Sequence, residues 1–196
     1  WGVGALAGLK GELVQVDGRV WVSPGSADRG QVRAPLAGEA ATLWASGGVN
    51  EWVKVVVPGD MPQAQFQAFV QERANAQGLD PALPWVFRVS GEFGHLIWHV
   101  VTGEAVDAAA PTAGDGGSHG QGGAGHANSR SALKTFRQPQ AHGQLIGVYS
   151  GEKLAGVVTL QGERFHVHYF DAAGQVSGHV DQYTVREGAT LWLPKG

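Results

Sequence analysis

The sequence predicts a strand-rich α+β fold in which one amphipathic helix covers a sheet. Two observations carry this expectation. Alternating apolar and polar runs with hairpin turn signals occupy both ends of the chain, and a single segment between them switches to the helical period. A hydrophobic content of 43% over 196 residues is enough for one substantial core.

Taken in order, "ELVQVDGRVWVS" at 12–23 is two alternating runs around Asp17-Gly18, a type I′ hairpin signal. "ATLWAS" and "NEWVKVVVPGD" supply further strands. The period then changes. In "GDMPQAQFQAFVQERANAQG", Asp60 is the expected N-cap, Pro62 lies near the first turn, Phe66, Phe69 and Val70 share one face, and Gly78 stops the helix. "WVFRVSGEFGHLIWHVVTG" at 85–103 reads as a hairpin turning near Ser90-Gly91, and His95 and His99, four apart, are expected on one strand face. Residues 104–132 are rich in Gly and Ala, with His119 and His126 among them, and read as a flexible insertion too poor in bulky apolar side chains to pack a core. From Gln144 to Leu193 strands return in "GQLIGVYS", "LAGVVTL", "FHVHYF", "GHVDQYTV" and "GATLWLP". The expected organisation is an N-terminal sheet part at 1–103 with the helix, the insertion at 104–132, and a C-terminal antiparallel part at 133–196.

Composition excludes several classes. A net charge of −3 with scattered Lys and Arg gives no basic stripe, so nucleic acid is not an expected partner. No apolar run approaches the roughly 20 residues that span a bilayer, so no membrane role is expected either. With no cysteine there is no disulfide, zinc ribbon or thiol nucleophile. The Gly-rich stretch lacks a following GK[ST], which removes a phosphate-binding loop. Trp1 in place of Met suggests a processed or trimmed chain, and both a cytoplasmic and an exported location stay open.

The chemistry concentrates in "RFHVHYFDAAGQVSGHV" at 164–180. On a strand, His166 and His168 lie on one face and Val167 on the other. If "DAAG" turns the chain with a two- or four-residue loop, His179 falls directly opposite His166, with Cβ atoms about 5 Å apart. A three-residue loop would turn it to the other face. Three converging neutral imidazoles suit a borderline divalent ion and leave a fourth position for water or substrate. Zinc is the default; other divalent transition metals accept the same ligands.

Three blocks of the chain together resemble the α-acetolactate decarboxylase family: "GVGALAGLKGELVQVDGRVW" at 2–21, "FRVSGEF" at 87–93, and "GQLIGVYSGEKLAGVVTLQGERFHVHYFDAAGQVSGHV" at 143–180. The resemblance implies a two-part fold, a mixed sheet with a covering helix plus an antiparallel sheet that carries the metal. It implies zinc on His166, His168 and His179, with Glu12 of the G-E segment working beside the ion. The implied reaction removes CO2 from acetolactate or a related 2-hydroxy-3-oxo acid, which suits a Lewis acid that engages the carbonyl and hydroxyl oxygens. The family's active-site arginine maps to His99, which cannot offer a guanidinium's permanent fork; it is read as a catalytic residue, either a proton donor, since histidine titrates across neutral pH, or a fourth metal ligand. Arg88 is read chiefly as a sheet residue and otherwise as a substrate-binding substitute for that charge. No residue matches the family's C-terminal glutamate, since the sequence ends "LWLPKG". A homodimer is implied by the resemblance alone. The competing readings are another three-histidine enzyme and a metal-binding protein without decarboxylase activity.

Overall fold

The computed structural model describes residues 1–105 and 131–196. Strands β1 (Gly2–Leu6), β2 (Gly11–Val16), β3 (Arg19–Pro24) and β4 (Ala41–Ser46) form a four-stranded sheet in the order β3-β2-β1-β4. Asp17 and Gly18 join β2 to β3 with φ of 49° and 77°, the pair of left-handed residues that a type I′ turn requires. Strands β5 (Trp52–Val56), β6 (Met61–Pro62), β7 (Trp85–Ala105), β8 (Ser131–Tyr149), β9 (Phe165–Asp171), β10 (Val176–Val185) and β11 (Thr190–Pro194) form a second sheet in the order β5-β11-β7-β8-β9-β10-β6. Because β7 pairs with β10 as well as β8, the four strands β7 to β10 close on themselves.

Every strand pairing among the described residues is antiparallel, which corrects the expected mixed sheet. The reason is connectivity: parallel neighbours need a long crossover, and the one helix leads from β6 to β7, which are not hydrogen-bonded to each other. The helix, α1 (Gln63–Ala76), buries Phe66, Phe69, Val70 and Ala74 against the second sheet and ends before Gly78, whose φ is 80°. Asp60 is not its cap. Pro62 holds the cap position, while Asp60 accepts a hydrogen bond from the Glu187 N–H at 2.9 Å and pairs with Arg186.

Three further expectations fail. The segment 85–103 is not a hairpin, because Ser90 and Gly91 pair with Gln144 and Gly143 inside one long strand. Gly91 marks a close approach instead of a turn: a Cβ there would lie 2.8 Å from the Cβ of Ala189. Nor do His95 and His99 share a face by simple alternation. His95 adopts a left-handed φ of 49° and is exposed, so the pleat is interrupted. Before it Phe87, Val89 and Phe93 point into the core; after it Leu96, Trp98 and Val100 do, which turns His99 to the opposite face. The segment "LAGVVTL" at 154–160 forms turns, not a strand, with Val158 buried. His119 and His126 lie outside the described residues.

Two apolar layers result. One holds α1 with Phe87, Leu145, Val167, Tyr169 and Leu191. The other lies between the sheets and includes Val3, Val14, Val86, Ile146, Val148, Val158 and Phe170. Pairing of His166 with Val148 and His168 with Ile146 sets both histidines on this inter-sheet face.

Candidate metal centre

β9 and β10 are joined by Ala172 to Gln175, a four-residue loop closed by Gln175 at φ 51° and by the Ala173 N–H donating to Asp171 Oδ1 at 2.9 Å. The even loop keeps His179 on the face of His166 and His168. The register is two residues from the expected one: His179 pairs with His168, and His166 is its diagonal neighbour. The turn begins one residue later than "DAAG" suggests, which moves every partner by two without changing faces.

The three imidazoles converge. Their ring centroids lie 4.9 Å (His166–His168), 4.9 Å (His166–His179) and 5.5 Å (His168–His179) apart, and one ring nitrogen of each lies within 4.8 Å of the others. His168 is 0% exposed and His166 8%. Burial lowers His166 to about 4 and His168 well below the ordinary histidine range, so both are neutral. His166 Nδ1–H donates to the Val158 carbonyl at 2.6 Å, which leaves Nε2 as a lone pair. That Nε2 lies 3.0 Å from Nε2 of His168.

This contact tests whether the donor set fits a cation. If His168 carries its proton on Nε2, its buried Nδ1, which makes no hydrogen bond, is left as an unsatisfied lone pair. If the proton sits on Nδ1, two lone pairs face each other at 3.0 Å. A cation held by both Nε2 atoms removes this clash of lone pairs. The residues present therefore fit a divalent ion.

Glu12 comes from β2 in the other sheet. It is 4% exposed, its Oε2 lies 3.7 Å from His168 Nε2, and its Oε1 accepts a long hydrogen bond from the Val101 N–H at 3.4 Å. Burial pushes its carboxyl up to about 8, although the His99 charge and the Val101 N–H pull it down. His99, on β7, lies beside His179 with ring centroids 4.9 Å apart and planes tilted by 41°. Its Nδ1 lies 2.8 and 2.9 Å from the two oxygens of Asp181. Burial lowers His99, but Asp181 and Glu12 outweigh it and the net shift is upward. His166, His168 and Glu12 are buried, while His179, His99 and Asp181 are half-buried, the last two with side chains 13% and 19% exposed, and stand toward the rim.

Asp181 was not singled out from the sequence. The signal was available, because "HVD" sets Asp181 on the same strand face as His179. Arg88, by contrast, is not gathered into the cluster. Its guanidinium carbon lies 3.9, 4.6 and 5.6 Å from the ring centroids of Trp192, Trp1 and Trp52, an aromatic enclosure that accounts for its place in the sheet.

The sequence matches no protein-family model and no curated protein. Solved structures do match. The chain aligns over 100% of its length with 73% of α-acetolactate decarboxylase from Bacillus subtilis strain 168, at 16% identity and a TM-score of 0.71. Acetolactate decarboxylase from Bacillus subtilis subspecies spizizenii gives 16% identity and a TM-score of 0.68, with the same shares of each chain covered. A Staphylococcus aureus protein of unknown function similar to α-acetolactate decarboxylase aligns over 98% of this chain and 72% of its own, at 14% identity and a TM-score of 0.66. On this likeness, the chain has the fold of the α-acetolactate decarboxylases.

Proposed function

We propose that the chain is a metal-dependent carboxy-lyase that converts acetolactate, or a related 2-hydroxy-3-oxo acid, to a hydroxyketone and CO2. The observation that carries this reading is the inter-sheet convergence of His166, His168 and His179, with Glu12 buried beside them. The three histidines would hold the ion, zinc by ligand type, and the Val158 carbonyl orients the buried His166 ring from behind. Bound there, a divalent ion would supply Lewis acidity toward the carbonyl and hydroxyl oxygens of the substrate.

The chain's own groups do the rest. Loss of CO2 leaves an electron pair on carbon, and that carbon must take up one proton. Glu12 sets a carboxyl oxygen 3.7 Å from His168 Nε2 on the buried side of the cluster, and we assign it as the donor. The enclosing walls from both sheets keep bulk water from the buried side. His99 stands where the substrate enters. Arg88 has no part in substrate binding in this reading, because its guanidinium is enclosed by tryptophans.

The test is metal content and acetoin formation from racemic acetolactate on one purified sample. About one metal per chain with acetoin released supports the proposal. Metal without acetoin overturns acetolactate as the substrate, and metal without CO2 release from related 2-hydroxy-3-oxo acids overturns the decarboxylase assignment; a metal-free protein after zinc loading overturns the centre itself.

A further inference from the structure

The rim pair His99–Asp181 has a geometry that the decarboxylation step above does not use. Both carboxylate oxygens of Asp181 lie within hydrogen-bond distance of the same atom, Nδ1 of His99, at 2.8 and 2.9 Å. A carboxylate accepts and does not donate, so Nδ1 must carry the proton. His99 Nε2 has no hydrogen-bond partner among the described residues, and it is the ring nitrogen left for a ligand. The ring is held beside His179, at 4.9 Å between centroids, by close β7–β10 packing. At Gly178 a Cβ would lie 2.4 Å from the His99 carbonyl oxygen, so only glycine lets β10 come this near.

We infer that Asp181 is a positioning residue that fixes His99 with Nδ1–H toward its carboxylate, so that Nε2 reads the hydroxyl of a 2-hydroxy acid at the mouth of the metal centre. A hydroxyl both donates and accepts, so this hydrogen bond forms whichever partner supplies the proton. The site then selects 2-hydroxy acids over carboxylic acids without the hydroxyl, by an imidazole in place of a charged fork. The same control of a ring nitrogen by a carboxylate orients the histidine of hydrolase triads. This inference rests on the metal-centre reading above, and its test separates the two.

The protein is first loaded with Co2+ as an optical probe, and metal per chain is measured for wild type, Asp181→Asn and His99→Phe. Failure of the wild type to bind Co2+ or Zn2+ overturns the metal centre and the present inference with it. With metal bound, 2-hydroxyisobutyrate and isobutyrate are titrated against the cobalt absorption. Both variants should keep their metal, weaken 2-hydroxyisobutyrate about tenfold, the scale of one hydrogen bond, and leave isobutyrate within about twofold. Asp181→Glu should restore part of the loss. Equal weakening of both acids, or no weakening by Asp181→Asn, overturns the inference while leaving the metal centre standing. A second measurement needs no variant that must fold: ¹⁵N-histidine spectra of the wild type should show His99 Nδ1 protonated, and a bare Nδ1 overturns the assignment.

Discussion

Replacing Glu12 by Gln keeps the shape of a buried side chain and removes its charge, which makes its consequence calculable. In the metal-free protein the folded carboxyl titrates at about 8, against an ordinary 4.5. Between those values the folded chain holds a proton that the unfolded chain has released. Stability therefore falls as pH rises, by about 1.4 kcal/mol per pH unit, and stops falling above the folded pKa. Over the whole window this is about 5 kcal/mol. His166 and His168 act in the opposite direction, because their folded pKa values are lowered; their contribution grows with pH until the ordinary histidine value of 6.5 is passed. The clean window is thus pH 6.5 to 8, where Glu12 alone of these three changes and the loss is about 2 kcal/mol. His99, shifted upward, adds a fall of the same sign to both proteins. Urea unfolding of chelator-treated wild type and Glu12→Gln at half-unit steps should give curves that diverge by about 2 kcal/mol across this window. Parallel curves would falsify the account of Glu12 as a carboxyl kept neutral by burial.

Other consequences are simpler to read. His168→Ala should abolish stoichiometric zinc binding, measured by elemental analysis after dialysis, and unchanged metal content would remove the cluster as the centre. Gly178→Ala forces a Cβ against the His99 carbonyl and the Trp98 ring, so it should cost about 1–3 kcal/mol in chemical unfolding and weaken the contact between His99 and His179; a neutral effect would show that β10 is free to shift. Arg88→Met should lose about 1–2 kcal/mol of cation–π stabilisation while zinc content and turnover stay unchanged, whereas a selective rise in KM would restore Arg88 to substrate binding.

Much of the centre is legible in the sequence because its logic is local. H-x-H on a strand sets two imidazoles on one face whatever the rest of the chain does, and an even loop keeps a third histidine there. The register error of two residues did not matter to that conclusion, since faces depend on parity alone. The turn at Asp17-Gly18 and the buried stripe of Phe66, Phe69 and Val70 were legible for the same reason: each follows from a few adjacent residues. The false hairpin at Ser90-Gly91 shows the limit of local signals. A glycine that lets Ala189 approach has the same spelling as a glycine that turns the chain.

What the sequence determined by itself is therefore the strand-rich class with one helix and the shared face of His166 and His168; the even β9–β10 loop that adds His179 was one of the alternatives it left open. What only the tertiary structure decided is the company those histidines keep. Glu12 arrives from the other sheet, His99 arrives because His95 interrupts the pleat and β7 bonds to β10, Asp181 locks that ring, and Arg88 is withdrawn among tryptophans. Periodicity reports which residues share a face of one strand. It carries no information on which faces of distant strands are pressed together, and that choice is made by burying two apolar layers at once, a property of the whole chain.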